Sequence, residues 1–79
     1  MLKMKPMQCR AARAMIQMKQ PELAKAAGLG LSTIVDFEKE RRVVSDQAIT
    51  AICTALEEAG VEFIDENGGG AGVRIKKNR

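Results

Sequence analysis

Any chemistry in this chain must be done without histidine, and its two cysteines, Cys9 and Cys53, stand far apart. A zinc site, a CxxC redox pair and a histidine-based triad therefore have no sequence pattern to support them. Carboxylates are plentiful, yet no nucleophile elbow accompanies them, and "NGGGAG" (67–72) lacks the Lys-Ser/Thr of a nucleotide-binding loop. No enzyme activity, cofactor, metal or small-molecule ligand is expected. The groups that remain lie in "LSTIVDFEKERR" (31–42). Ser32 and Thr33 can donate or accept hydrogen bonds, Asp36 accepts, and Leu31 and Val35 offer small apolar contacts. Lys39, Arg41 and Arg42 follow directly, where they can attract an anionic surface.

These side chains work together only if a helix carries them. Apolar Ile34 and Phe37 set a helical stripe over Leu31–Lys39, which leaves positions 31, 32, 35 and 36 on the opposite side. The preceding segment, "QPELAKAAG", reads as a short helix with Gln20 at its cap, Pro21 in its first turn and Gly28 at its end. A tight helix-turn-helix needs a small residue where the helices cross, supplied by Ala24, and a turn residue free to take positive φ, supplied by Gly28. Leu23, Ala27, Leu29, Ile34 and Phe37 fill the apolar positions between them.

Upstream, "MLKMK" reads as a frayed start, and a helix runs from Pro6 to about Met18 with Cys9, Ala12 and Ile16, and Met15 beside them, on its apolar stripe. Both cysteines then read as small buried residues. Downstream, Ser45 caps a fourth helix, Asp46 sits at its positive end, Ile49, Ile52, Cys53 and Leu56 form its stripe, and Gly60 stops it. "VEFI" (61–64) and "GVRIKK" (72–77) read as strands around the loop "DENGGGA". Val61 and Phe63 alternate with Glu62, and Val73 and Ile75 with Arg74 and Lys76, so each strand has one apolar side and opposite charges can meet across the ladder. A lone two-stranded hairpin is marginal in water. The tail is thus either loose or completed by a second copy of the chain, and Val61, Phe63, Val73 and Ile75 are the expected dimerisation residues. A 79-residue chain with two phenylalanines and no Trp or Tyr also stands to gain stability by dimerising.

The modest net charge of +3 conceals a segregated pattern. Residues 1–42 hold nine Lys/Arg against four Asp/Glu, residues 43–67 hold none against six, and residues 68–79 hold four against none. A phosphate backbone requires such a basic front; a merely solvated surface is the plainer reading. No signal peptide or membrane-spanning run appears, which predicts a reduced, cytoplasmic protein.

At Gln20, Leu23, Ala24, Gly28, Ser32, Thr33, Ile34, Phe37 and Glu38, the chain resembles the lambda-repressor-like, or XRE, family of helix-turn-helix DNA-binding proteins, over about residues 6–59. The resemblance implies a mainly α fold: a helix-turn-helix bundle of about four helices, to which this chain adds a short C-terminal β-hairpin or strand pair. It divides the chain into a DNA-binding domain over 1–60, with its motif at 20–39, and a strand-like dimerisation tail over 61–79. The tail lies outside the common family core, which often continues as another helix. By the same resemblance, Leu31, Ser32, Thr33, Val35 and Asp36 face base edges. Lys19, Gln20, Lys39, Arg41 and Arg42 contact phosphate, and Arg13 and Glu38 form a structural ion pair. The implied partner is the major groove of double-stranded DNA, bound by a homodimer.

Two functions from different classes follow. The first is a sequence-specific transcriptional regulator on an inverted-repeat operator, acting by occupancy and, by family analogy, regulating its own promoter. Leu31 and Val35 would touch thymine methyls and Asp36 a cytosine amino group, with modest direct readout because no side chain among them makes a bidentate pair with guanine or adenine. The second is a helix-turn-helix fold used as a protein-interaction module of antitoxin or antiactivator type. In that case Leu31 and Val35 form an apolar patch, and Asp36 is a solvated residue. Lys3, Lys5 and Arg10 stand near enough in sequence to approach DNA, or serve only solubility.

Overall fold

A computed structural model of the chain describes residues 4–66 and 68–76. Four helices are followed by a hairpin: α1 Pro6–Ile16, α2 Gln20–Ala27, α3 Leu31–Lys39, α4 Asp46–Glu58, β1 Val61–Ile64 and β2 Gly72–Ile75. Prolines open the first two helices at positions whose missing N–H would have had no intrahelical partner. The N–H groups left over at those ends are met locally. Lys5 N donates to Gln8 Oε1 at 2.9 Å, and Lys19 N donates to Glu22 Oε1 at 2.8 Å. Ser45 Oγ accepts from Ala48 N at 3.1 Å and so caps α4.

Several boundaries differ from the sequence expectation. Helix α1 stops at Ile16, two residues short of Met18, because Gln17 adopts a left-handed conformation (φ 57°) without being glycine. Lys19, not Gln20, is the N-cap of α2. Met4, placed in a frayed start, is buried in the core. Met15 is 43% exposed and lies off the buried face, which Gln8, Cys9 and Ala12 form instead.

The core is aliphatic. Leu23, Ile34, Ile52, Leu56 and Val61 are fully buried, with Phe37, Val44 and Ile49 around them. Ala24 is buried where α2 meets its neighbours, and Gly28 ends α2 in the left-handed region at φ 72°. Leu29 N then donates to Ala24 O at 2.9 Å, which closes the turn that redirects the chain into α3.

The strands pair antiparallel within one chain, with Val61 opposite Ile75, Glu62 opposite Arg74, Phe63 opposite Val73 and Ile64 opposite Gly72. Arg74 and Glu62 form the expected cross-strand ion pair at 3.0 Å, and Arg74 holds the Glu62 carboxyl below the usual carboxylate range. The hairpin packs on α1 and α4 of its own chain. Val61 is fully buried, and Phe63 and Val73 pack against the same core. Three of the four residues expected to dimerise therefore serve their own chain; Ile75, 51% exposed, remains at the surface. The second strand ends at Ile75, and Lys77, assigned to it from sequence, lies outside the described residues.

Gln8 explains the docking. Its side chain is 2% exposed, accepts from Lys5 N, and donates through Nε2 to Gly72 O at 2.8 Å and Ile64 O at 3.4 Å. One amide thus caps α1 and holds both strands against it. Lys5 adds an exposed bridge to Glu66 at 2.9 Å. Among the described residues no helix is long and apolar enough to cross a membrane.

Candidate nucleic-acid interface

The outward side of α3 is the surface that the sequence singled out. Ile34, Phe37 and Glu38 turn inward, so residues on the other side of the helix must point away from the core. Leu31 is 46% exposed, Ser32 is exposed, and Thr33, Val35 and Asp36 are half-buried. Of the stripe expected from the sequence, Leu31 and Ser32 are open, whereas Asp36 is partly covered by Arg42 of its own chain.

What fixes α3 is a buried polar hub at Glu38, itself 1% exposed. Arg13 donates to it through Nε at 2.6 Å and Nη2 at 2.7 Å, a bidentate pair tying α1 to α3. Gln20 Nε2 donates to Oε1 at 2.9 Å, adding α2, and Cys9 Sγ donates to Oε2 at 3.0 Å. Arg10 Nη1 donates to the Glu38 backbone carbonyl, and Arg13 Nη1 to Met18 O at 3.1 Å, beyond the end of α1. Burial pushes the Glu38 carboxyl up, but the donors from Arg13, Cys9 and Gln20 outweigh it and hold the group below its ordinary value. The same bond raises Arg13. Burial, then the Glu38 bond and charge, push the Cys9 thiol well up, so it stays protonated as the donor this geometry needs.

This hub changes the expectation for Gln20. Its amide is committed inward through one N–H, so only the second N–H is left for a phosphate. Arg10, singled out from sequence only as a cation, is instead part of the scaffold.

The cations around α3 fall into two groups. Lys19, Lys39 and Arg41 are exposed and make no ion pair among the described residues. Since Gln20 touches Glu38, Lys19 at the start of α2 comes to the same end of α3 as Lys39 and Arg41. Arg42, expected as a phosphate contact, is half exposed and also has partners on its own chain. Glu40 takes a left-handed conformation at φ 56° and Arg41 N donates to Asp36 O at 2.9 Å, so the chain doubles back after α3. Arg42 Nε then donates to Asp36 Oδ2 at 2.9 Å, and Arg42 Nη2 reaches Thr33 Oγ1 at 3.4 Å. The carboxylate on the exposed stripe is therefore neutralised by an arginine lying over that stripe.

Charge elsewhere pairs locally. Glu62 and Glu66 face Arg74 and Lys5, and Lys76 Nζ reaches Glu57 O at 3.5 Å. Part of the acidic middle and basic tail cancel each other; near the end of α3 the exposed cations Lys19, Lys39 and Arg41 stand among the exposed carboxylates of Glu22 and Glu40. Among the described residues, no group of three or more His, Cys, Asp or Glu could hold a metal ion.

No protein-family model matches the chain, and a search of curated proteins finds no similar sequence.

Proposed function

We propose that this protein is a sequence-specific DNA-binding transcriptional regulator with a lambda-repressor-like helix-turn-helix, which lays α3 in the major groove. The observation that carries the proposal is one juxtaposition. A helix held by a buried polar hub leaves Leu31, Ser32, Val35 and Asp36 on its outer side, and Lys39 and Arg41 at its end, with Lys19 beside the Gln20 that bonds Glu38, are exposed cations without an ion pair among the described residues. Phosphate contacts from those cations would set affinity and orientation, and the stripe would touch base edges. A homodimer would place two copies of α3 in successive major grooves about 34 Å apart on an inverted repeat. Because Val61 is buried and Phe63 and Val73 are half-buried against the core, the dimer contact would draw most on what the hairpin leaves open. That is Ile75, Ile64 and the outer edge of each strand, since each strand has one neighbour.

The test is retention of genomic DNA fragments by the purified chain at physiological salt, followed by affinity measured against salt on a retained fragment. Specific binding that weakens steeply with salt is expected. Lys39→Ala and Arg41→Ala should each weaken all duplexes alike and lower the salt slope by about 1. Retention of no fragment, or variants that lose a protein partner while DNA affinity is unmoved, would favour the protein-interaction module.

A further inference from the structure

Asp36 poses a physical problem for a groove-facing helix, because an unpaired carboxylate there repels phosphate and recognises little. Its surroundings resolve the problem. Glu40, a non-glycine residue at φ 56°, turns the chain back at the end of α3 and brings Arg42 beside Asp36 and Thr33. A guanidinium has five N–H donors in a fixed fork. Asp36 Oδ2 takes the one on Nε at 2.9 Å, and Thr33 Oγ1 lies 3.4 Å from Nη2. The two N–H groups of Nη1 and the second N–H of Nη2 remain, and one from each nitrogen makes the end-on edge that matches O6 and N7 of guanine. The Arg42 side chain is 51% exposed while Asp36 is 22% exposed, so the arginine is the more accessible member of the pair.

Resting on the DNA-binding reading above, we infer that Arg42 is the guanine-reading residue of this protein and that Asp36 is its positioning residue. The pair supplies the bidentate contact that the side chains of α3 lack. Asp36 holds a flexible arginine in one orientation and cancels its own charge in doing so, whereas Lys39 and Arg41 are left to grip phosphate.

The experiment is selection from a library of random DNA duplexes by the full chain and by Arg42→Lys, Arg42→Ala, Asp36→Ala and Arg41→Ala, each first shown by circular dichroism to be folded. The wild type is expected to select a guanine at one position of each half-site. Arg42→Lys and Arg42→Ala should lose that preference and bind the selected duplex about 5- to 150-fold more weakly, the factor a bidentate base contact contributes. Substituting that one base should matter little to these variants. Asp36→Ala should blur the same guanine while binding to unrelated duplexes holds or strengthens, a combination that a merely structural role would not produce. The proposal is overturned if Arg42→Ala weakens every duplex by one factor and lowers the salt slope as Arg41→Ala does, for that is a phosphate contact. It is equally overturned if Asp36→Ala leaves the guanine preference intact. A wild-type chain that enriches no duplex fails the DNA-binding reading itself, a result separate from either of these.

Discussion

Arg13→Ala gives the sharpest test of how α3 is held. The substitution removes two charge-assisted bonds of 2.6 and 2.7 Å and leaves the Glu38 carboxylate, 1% exposed, with only Gln20 and the weak Cys9 donor on its side chain. Stranding one member of a buried pair costs about 3–5 kcal/mol. A chain of 79 residues has a total stability of about 4–12 kcal/mol, so this one change would consume much of it. Urea unfolding followed by circular dichroism reads the loss. With a slope of about 1 kcal/mol/M for so small a domain, the midpoint should fall by about 3 M or more. Arg13→Met combined with Glu38→Leu removes both charges together and should recover to within about 2 kcal/mol of wild type. Gln20 is half-buried and can turn to water once Glu38 is gone.

Acid titration checks the same hub independently. The donors hold the folded Glu38 carboxyl below the value of about 4.3 that it has in an unfolded chain. A depressed folded value contributes stability that is fully present above the unfolded one and is lost as pH falls through the folded one. The wild-type midpoint should therefore be level down to about pH 5 and decline below about pH 4, and Glu38→Gln should remove part of that decline. An Arg13→Ala loss under about 1 kcal/mol, the size of an exposed pair, would refute the reasoning and make the hub incidental to the placement of α3.

Two further outcomes follow from the buried amide and the thiols. Gln8→Ala leaves the carbonyls of Gly72 and Ile64 without their donor and should cost about 1–3 kcal/mol; hydrogen exchange should show the strands losing protection before α4 does. Cys9 is pushed well up by burial and the Glu38 bond, and Cys53 is pushed up to about 11 by burial and the Glu57 charge. Neither thiol should react with a disulfide reagent at pH 8 until urea unfolds the chain, and rapid labelling of native protein would contradict the buried placement.

Much of the frame was legible because single residues announced it. Pro6 and Pro21 marked helix starts, Ser45 capped α4, and Gly28 marked the only turn sharp enough to need positive φ between α2 and α3. The alternation in 61–64 and 72–77 marked both strands and placed opposite charges across the ladder, where Glu62 meets Arg74. Part of what escaped has one cause: non-glycine residues in the left-handed region. Gln17 shortens α1 and Glu40 folds Arg42 onto Asp36, and neither residue type advertises that conformation. The docking of the tail escaped for another reason. Gln8 reads as an ordinary surface residue, and its strand partners lie 56 and 64 residues away. Its place one helical turn before Ala12, on a face that should be apolar, was the available signal.

The division of labour in α3 follows from where its polar groups are spent. A core with two phenylalanines has few large anchors with which to fix a nine-residue helix. Hydrophobic contact alone is non-directional, so it permits α3 to rotate or slide at small cost. Glu38 is directional: its carboxylate is reached from α1 by Arg13 and from α2 by Gln20, and all three bonds hold only at one rotation of the helix. Fixing that rotation also fixes which residues face outward, two positions before Glu38 at Asp36 and six before it at Ser32. The buried face thereby sets the aim of the exposed one. Under the proposed function, substitutions at Leu31, Ser32 or Asp36 are then expected to alter what is recognised without disturbing the fold, whereas a change at Glu38 with Arg13 left in place is expected to alter both together.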